Sequence, residues 1–194
     1  MLSELSVRDI AGVADLHSKV IPFSLNSQMG VARILKLYAL VQNNEKFICL
    51  VSKDSSGRIL SFISGTGDYK IAFKEMTSRF KFREIFRLLF RHNPIKVIFS
   101  FVDSLQVHCI LKNLGSKVYI LTSWGSDPTI SSGKDSVLVF LEICKRANSL
   151  KFTHVSVDVR KSNIRLINFY VRTGFVVQAR TIFSLVLIKA LVKK

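Results

Sequence analysis

A segment near the end of the chain carries side chains that could do acid–base chemistry. It begins at Asn163, continues through Phe169 and Tyr170, and closes on Gly174 and Phe175. A phenol hydroxyl such as that of Tyr170 can give a proton to a leaving group. The amide of Asn163 can cap the start of a helix. The segment therefore predicts a short helix with a polar residue at its start and a tyrosine near its end.

Two strands are expected to hold this helix in place. Residues Thr153–Val159 alternate polar and apolar side chains, which predicts a strand ahead of it. Gly174 stands where the end of a helix favours a left-handed residue. We therefore expect the helix to end there and β-structure to follow over Phe175–Leu187.

The remaining pattern predicts an α/β fold with a mixed sheet. The other predicted strands are Glu4–Val7, Phe47–Val51, Ile59–Ile63 and Val118–Ser123. The other predicted helices are Asp9–Val20, one capped by Asn26 or Ser27, a helical stretch Lys74–Gly115 divided at Pro94, and Ser136–Ala147. The turn Lys53–Gly57 predicts a hairpin in the first half, and alternating strands and helices in the second half imply parallel pairing.

The order of strand, Asn163, helix, Phe169-Tyr170, Gly174-Phe175 and strand resembles the closing half of the GNAT acyltransferase superfamily. Those enzymes move an acetyl group from acetyl-CoA to an amine. The resemblance covers essentially the full chain and implies a single GNAT-like domain over 1–194. It also implies splayed fourth and fifth strands, with 74–115 as a basic helical insertion between strands three and four.

The resemblance implies roles for individual residues. Tyr170 would protonate the leaving CoA thiolate, and Asn163 would cap the helix and bond the pantetheine arm of acetyl-CoA. Ser123, Trp124 and Gly125, at the end of strand four, would offer backbone groups to pantetheine and to the thioester carbonyl. Two of these residues also have plain structural interpretations, Tyr170 as a core tyrosine and Trp124 as a packing residue.

The family's pyrophosphate-binding loop, Q/R-x-x-G-x-G/A at a helix start, corresponds to a stretch that departs from the pattern. The residues assigned to it are Ser131, Ser132, Gly133, Lys134, Asp135 and Ser136. Ile130 stands where Gln or Arg is usual, and Asp135 stands where a small residue lets the backbone approach the phosphates. Lys134 offsets the charge of Asp135 in part. A simple N-capping turn is the alternative interpretation.

Two other phosphate motifs fit the same stretch less well. A Walker-type loop would need glycine at position 128 and Ser or Thr at position 135, where the chain has Pro128 and Asp135. Residues Ser131–Ser136 are also similar to the Ser-Gly-Gly-x-Asp-Ser loop of ATP pyrophosphatases, with one glycine changed. That loop should directly follow a buried strand near the start of its domain, so it stays an alternative only.

The sequence indicates no clear general base. Asp68 follows the third strand, Asp127 follows the fourth, and His154 begins the fifth. Asp68 and Asp127 are the candidate catalytic carboxylates, although acidic residues in such places are often solvated turn residues. An amine could also arrive already unprotonated through water.

The chain is strongly basic, with a formal net charge of +16 over 194 residues. Such a charge predicts an anionic partner: nucleic acid, an acidic lipid surface or a phosphorylated small molecule. Specific nucleic-acid binding is not expected, because no helix-turn-helix, zinc or RNA-binding signature is present. The scattered Cys49, Cys109 and Cys144, each in an apolar stretch, predict reduced core thiols and no metal site. The absence of a signal peptide or a membrane-length apolar run predicts a cytoplasmic protein.

Residues 74–92 predict a basic amphipathic helix. Its basic stripe has one-turn spacing and consists of Arg79, Arg83, Arg87 and Arg91. Its apolar stripe consists of Phe82, Ile85, Phe86 and Leu89. Such a helix can lie on the inner face of a membrane, line an anionic substrate groove or pack on the sheet as an ordinary surface helix. Among GNAT enzymes, the insertion resembles those of polysaccharide and lipid-linked sugar pathways.

These features lead to one functional hypothesis and one alternative. The hypothesis is an N-acetyltransferase that uses acetyl-CoA as co-substrate, without a metal, to acetylate a primary amine on an amino sugar carried by a nucleotide or lipid. The alternative is a non-catalytic binding module of the same fold, because the phosphate loop departs from the family pattern.

Overall fold

A computed structural model describes residues 1–70, 73, 94–130 and 133–191 of the chain. The predicted basic helix at 74–92 lies outside the described residues, as do Ser131 and Ser132 of the predicted phosphate loop. Of the predicted insertion 74–115, the structure therefore describes the part from Pro94 onward.

The predicted order of strands and helices is confirmed in the described part of the chain. The strands are β1 (Leu2–Glu4), β2 (Phe47–Lys53), β3 (Ile59–Thr66), β4 (Val118–Ser126), β5 (His154–Arg160), β6 (Val176–Arg180) and β7 (Ser184–Ala190). The α-helices are α1 (Ile10–Val20), α2 (Leu25–Gln28), α3 (Val31–Gln42), α4 (Pro94–Lys112), α5 (Lys134–Ser149) and α6 (Ile164–Arg172).

These strands form a mixed seven-stranded sheet in the order β1-β2-β3-β4-β5-β7-β6. Strands β1 and β2, β2 and β3, β5 and β7, and β6 and β7 pair antiparallel. Strands β4 and β5 pair parallel, from Val118 opposite His154 to Leu121 opposite Val157. This ladder covers the first four residues of each strand, beyond which the resemblance implies that the two strands part.

The start of the chain differs from the prediction of a strand over Glu4–Val7. Strand β1 ends at Glu4, and Val7–Asp9 form a short 3-10 helix. The Asp9 carboxylate accepts hydrogen bonds from the backbone N–H of Ser6 at 3.0 Å and from its hydroxyl at 2.7 Å. These two bonds to one carboxylate hold the turn and start a helix at the point where hydrophobicity alone predicts extended backbone.

Helix α3 begins later than predicted and buries a slightly different face. It starts after Gly30, whose φ of +94° suits glycine. The sequence places Val31, Ile34, Leu35, Tyr38 and Val41 at helical spacing. Of these, Val31 and Leu35 are exposed, whereas Leu37, outside that set, is buried beside Tyr38. The buried positions still recur at helical spacing, so the pattern was correct and its phase was shifted.

Contacts divide the chain into two compact units. The first consists of 1–66 and 122–146, and the second of 67–121 and 147–194. A single domain over 1–194 stays a prediction.

Each unit has its own core. The largest fully buried side chains of the first unit include Tyr38, Leu50, Phe62 and Phe140. In the second unit, α4 packs Val107 and Leu111 against Val118, Ile120 and Val186 of the strands. Of the predicted core thiols, Cys49 is buried, whereas Cys109 is exposed. Among the described residues, no helix is both long enough and apolar enough to span a membrane.

Candidate functional site

The end of β4 in the first unit holds three of the predicted site residues. Ser61 donates its hydroxyl hydrogen to the carbonyl oxygen of Gly125 at 2.9 Å, and the N–H of Asp127 donates to Leu60 at 2.9 Å. The carbonyl of Gly125 is therefore already engaged by β3. A carbonyl oxygen has two lone pairs, so this bond occupies one of its two acceptor positions.

Gly125 is required by close packing. A Cβ atom at this position would lie 2.5 Å from Cγ2 of Val20 and 2.8 Å from Cε1 of Phe62. These distances are shorter than any carbon–carbon contact can be, so only glycine lets α1 and β3 approach β4 this closely.

Trp124 packs on helix α5. Its ring stacks on that of Phe140 with centroids 5.3 Å apart and planes 21° apart. The structure therefore supports the packing interpretation of this tryptophan. Alternation along a strand places Ser123 and Gly125 on the other face, toward α1 and α3.

Asp127 is held by its neighbours. Its carboxylate accepts a hydrogen bond from the Thr129 hydroxyl at 2.6 Å and pairs with the Arg58 guanidinium at 3.0 Å. The hydrogen bonds from Thr129, followed by the charge of Arg58, lower the pKa of Asp127. A carboxylate with a lowered pKa is a weaker base, which disfavours the predicted general-base role for this residue.

The start of α5 carries the described part of the predicted phosphate loop. Gly133 has φ +80°, and α5 begins directly after it with Lys134 and Asp135, followed by Ser136. The first turn of a helix presents backbone N–H groups that favour an anion. The Asp135 carboxylate lies in this turn and accepts a hydrogen bond from the Ser52 hydroxyl at 2.7 Å. Ser52 thus fixes this charge in the first turn.

An open groove of about 180 Å³ lies in the same unit. Its charged lining consists of Arg8, Asp9, Asp15, Lys19, Arg58 and Asp127. Lys19 pairs with Asp15 at 2.6 Å and Arg58 with Asp127 at 3.0 Å. Because its cations and carboxylates are balanced, the groove is polar rather than strongly anion-attracting.

In the second unit, Asn163 caps helix α6 as predicted. Its side-chain oxygen accepts a hydrogen bond from the N–H of Leu166 at 3.1 Å, and its own N–H donates to the carbonyl of Arg160 at 2.9 Å. The cap joins the end of β5 to the start of α6, and Asn163 is exposed. The capping bond therefore fixes the position of the Asn163 amide group at this junction.

Tyr170, Gly174 and Phe175 together form the C-terminal cap of α6. The N–H of Phe175 donates to the carbonyl of Tyr170 at 3.0 Å, and the N–H of Gly174 donates to that of Val171 at 3.0 Å. Gly174 has φ +91°, and the rings of Tyr170 and Phe175 lie 4.9 Å apart. Together these are the two hydrogen bonds, left-handed glycine and apolar contact of a Schellman motif.

Tyr170 is fully buried. The capping motif alone accounts for the register of Tyr170 with Gly174, so that register is no independent sign of catalysis. Asp68, the other predicted carboxylate, follows β3 and is partly buried. The catalytic roles of Tyr170 and Asp68 stay predictions.

Sequence reasoning missed a polar cluster around Asp103 in the second unit. This buried carboxylate on α4 accepts hydrogen bonds from the Thr181 and Ser184 hydroxyls and from the N–H of Phe183, and Arg160 approaches it at 3.3 Å. Burial raises the pKa of Asp103, but these hydrogen bonds and Arg160 outweigh it, so the net pKa is lowered. In the sequence, Asp103 interrupts an apolar run, and that was the only available signal.

Sequence reasoning also missed a buried histidine in the first unit. Nδ1 of His17 lies 2.8 Å from the Tyr38 hydroxyl, and its ring stacks on Phe62 with centroids 5.8 Å apart. Burial lowers the pKa of His17 to about 4. The only signal in the sequence is a histidine on the apolar face of α1. In the described part of the chain, no three His, Cys, Asp or Glu side chains lie close enough together to hold a metal ion.

Comparison with known proteins gives a clear result for the fold. No family model matches the sequence, and no curated protein matches it. Solved structures do match over nearly the whole chain. The PaiA N-acetyltransferase from Thermoplasma acidophilum, in complex with coenzyme A, is 12% identical with a TM-score of 0.63 and 98% of each chain covered.

Two further structures agree with this match. The GCN5-related N-acetyltransferase from Kribbella flavida is 9% identical, with a TM-score of 0.64 and coverage of 98% of this chain and 97% of the other. The phosphinothricin acetyltransferase from Sinorhizobium meliloti, in complex with AcCoA, is 10% identical, with a TM-score of 0.61 and coverage of 98% and 88%. The mixed sheet with its parallel β4–β5 pair and these full-length matches lead to one conclusion: this chain has the fold of the GNAT N-acetyltransferases.

Proposed function

We propose that this protein is an N-acetyltransferase that uses acetyl-CoA to acetylate a primary amine. The observation that carries the proposal is the GNAT fold over the full length of the chain, within which helix α6 places the Asn163 cap and the buried Tyr170. Full-length structural matches to proteins named as N-acetyltransferases add support. Acetyl-CoA would supply the acetyl group as an activated thioester.

In the first unit, the proposal assigns anion binding to the start of α5. The positive end of the helix dipole, the N–H groups after Gly133 and the exposed Lys134 favour a phosphate there. The Asp135 carboxylate opposes it, and its hydrogen bond with Ser52 delocalises only part of that charge. The N–H groups of Ser123 and Trp124 on β4 would polarise the thioester carbonyl.

In the second unit, the proposal assigns the proton donor to Tyr170. Its ring is held against Phe175 by the cap at the end of α6, so the hydroxyl has a fixed position. A positioned phenol can protonate a thiolate as it leaves. Asn163 would bond the pantetheine arm with the amide atoms that its capping bond leaves available.

We expect the acceptor of the acetyl group to be anionic. A net charge of +16 favours an amine attached to an anionic carrier, such as an amino sugar on a nucleotide or a lipid. The basic segment at 74–92, which lies outside the described residues, is proposed to contact such a carrier or the inner face of the membrane. The protein would then act in the cytoplasm.

Turnover of the full chain with acetyl-CoA and a panel of amines, followed by detection of the free thiol, tests the proposal. Replacing Tyr170 by Phe should lower kcat by about 100-fold and leave acetyl-CoA binding unchanged. Tyr119→Phe is the matched control, since it removes another buried tyrosine hydroxyl of the second unit. Unchanged turnover in Tyr170→Phe would contradict the assignment of the acid.

The alternative is a binding module of the same fold without catalysis. The position of Asp135 in the first turn of α5 favours it, because a carboxylate there repels phosphate. A ligand that binds the native state raises the free energy of unfolding, by about 2.7 kcal/mol when its concentration is roughly 100 times Kd, and the unfolding midpoint rises with it. Absence of a shift at millimolar acetyl-CoA would favour the alternative.

A further inference from the structure

A file of hydrogen-bonded side chains crosses the first unit from β4 to the loop after α1. Ser123 forms a side-chain hydrogen bond with the Tyr38 hydroxyl. The Tyr38 hydroxyl lies 2.8 Å from Nδ1 of His17, and Nε2 of His17 lies 3.2 Å from Oγ of Ser24. Ser24 in turn lies 2.8 Å from Oγ of Ser27. The links from Tyr38 to Ser27 are all 3.2 Å or shorter, and Ser123 continues the file as a hydrogen-bond partner of Tyr38, whose bond opposes the larger rise in pKa that burial causes.

The two ends of this file are accessible and its middle is dry. Tyr38 has 0% and His17 has 2% of its surface exposed, whereas Ser123 and Ser24 are partly buried. The Phe62 ring stacks on His17 and also meets Tyr38 edge-on, which shuts water out of the centre. A line of hydrogen-bonding groups that excludes water at its centre and meets water at both ends can carry a proton between two solvent-accessible places.

The electrostatics keep the middle of the file neutral. Burial lowers the pKa of His17 to about 4, so its imidazole is uncharged at neutral pH. Burial, with a smaller effect of Cys49, raises the pKa of Tyr38. A neutral imidazole can accept a proton on one ring nitrogen while it gives up the proton on the other. This suits a carrier of protons better than a final base.

Ser123 has the right position to begin such a transfer. It lies on β4 two residues beyond Leu121, where the ladder with β5 ends. Its side chain shares a face of the sheet with Gly125, toward α1 and α3, opposite Trp124 and Phe140. Its own N–H belongs to the β4 segment to which the proposed function assigns the thioester carbonyl, so an amine that attacks that carbonyl would come close to its hydroxyl.

We propose that Ser123, Tyr38, His17 and Ser24 form a relay that removes the proton of the acceptor amine. This inference rests on the proposed function. As the amine nitrogen bonds to the acetyl carbon, its proton passes to Oγ of Ser123, and the hydroxyl proton of Ser123 passes to Tyr38. The proton of Tyr38 passes to Nδ1 of His17, and the proton on Nε2 passes to Ser24 and on to water. One proton enters and one leaves, so no charge stays buried. Ser123 is the residue that touches the substrate, and Tyr38 and His17 act through it.

The direction of the relay requires one tautomer of His17. Nδ1 must accept from Tyr38, and Nε2 must carry the hydrogen that is donated to Ser24. Oγ of Ser24 also accepts the N–H of Ser27 at 3.0 Å, which leaves its own hydrogen for Oγ of Ser27. The hydrogen bonds at this end are thus consistent with donation outward, toward the loop.

Nitrogen-15 NMR of the histidine side chains in the full chain tests that direction without any substrate. The His17 signals are assigned by their loss in His17→Gln. The relay predicts a neutral Nε2–H tautomer at neutral pH, together with a change in the Nδ1 signal in Tyr38→Phe. A neutral Nδ1–H tautomer, or a charged imidazolium, would overturn the relay.

Kinetics provide the second test. Tyr38→Phe and Ser123→Ala should each lower kcat for acetyl transfer about tenfold or more, with KM for acetyl-CoA unchanged. The double variant should fall no lower than the poorer single variant, because both changes interrupt one path. Ser64→Ala is the matched control, because it removes a buried hydroxyl of β3 that is outside the relay. Oγ of Ser64 lies 2.9 Å from Oγ1 of Thr122 on β4. The kcat of Ser64→Ala should match the wild type.

The outcomes separate the relay from the proposed function. An active wild-type chain whose Tyr38→Phe variant keeps its kcat overturns the relay alone, as do additive losses in the double variant. A wild-type chain that transfers no acetyl group to any amine overturns the proposed function, and the relay with it. Unfolding of each variant in urea shows whether it is still folded, and a folded Tyr38→Phe with reduced kcat supports the relay.

Discussion

Asp103 accepts a hydrogen bond from the hydroxyl of Ser184 at 2.9 Å, which ties helix α4 to the start of strand β7. The same carboxylate binds the turn before β7 through Thr181 and Phe183. Arg160 adds a charge at the end of β5 and lies over the Phe183 ring, 5.6 Å from its centre. The buried Asp103 side chain therefore joins helix α4 to the end of β5, before helix α6, and to the start of β7, after it.

Replacing Asp103 by Ala should destabilise the protein by about 3 kcal/mol, since it leaves several buried donors without an acceptor. Urea unfolding at neutral pH measures the loss. Asp15→Asn is the control, because Asp15 forms an exposed ion pair with Lys19 and should cost less than about 0.5 kcal/mol. Equal effects of the two changes would contradict the fastening role of Asp103.

Acid should destabilise the protein through His17. In the unfolded chain His17 takes up a proton near pH 6.5, whereas in the folded chain burial lowers its pKa to about 4. The unfolded state therefore binds more protons as the pH falls between these values, and the free energy of unfolding should drop by roughly 3 kcal/mol. Urea titrations at several pH values check this.

His17→Gln separates this effect from general acid repulsion. Glutamine can still hydrogen bond to Tyr38 and Ser24 but does not titrate, so its stability should vary less between pH 6.5 and 4 than that of the wild type. Parallel pH profiles for the two proteins would show that His17 does not cause the acid loss.

Removing the cap of α6 should cost a measurable amount of stability. In Asn163→Ala, the N–H of Leu166 loses the oxygen that it reaches at 3.1 Å, and the expected loss is about 1 kcal/mol. Asn163→Asp should retain most of the stability, because aspartate caps equally well and its charge favours the positive end of the helix. If the two variants were equally destabilised, the capping bond would not be the cause.

The charge of Asp135 should weaken binding of CoA. Replacing Asp135 by Asn removes a carboxylate from the first turn of α5, and we expect Kd for acetyl-CoA to fall about fivefold, which corresponds to about 1 kcal/mol. Calorimetric titration measures the change. Ser52→Ala keeps the charge and removes only its hydrogen bond, so its Kd should not fall. Equal affinities of the wild type and Asp135→Asn would show that phosphates do not bind near this turn.

Much of the fold could be predicted because its signals are local. The alternation of Thr153–Val159 became β5, Asn163 became the cap of α6, and Gly174 took the left-handed conformation at its end. Each of these depends on residues a few positions apart in the chain. The bounds of the elements differ from those predicted, as at Val7, where the hydrogen bonds of Ser6 to Asp9 override the preference of a β-branched residue for a strand.

The sequence by itself determined the order of elements, the capped helix α6 and the basic charge, because hydrophobic period, capping residues and ionisable groups are properties of the chain alone. Only the tertiary structure decided which side chains meet across that order. Asp103 and Ser184 are far apart in the chain, as are His17, Tyr38 and Ser123, and no local pattern marks them as partners. The family resemblance places Gly125 beside a ligand, whereas the packed structure shows that Val20 and Phe62 leave no room for a side chain there. Long-range packing sets these contacts, because burial and hydrogen bonding act between surfaces that folding alone brings together.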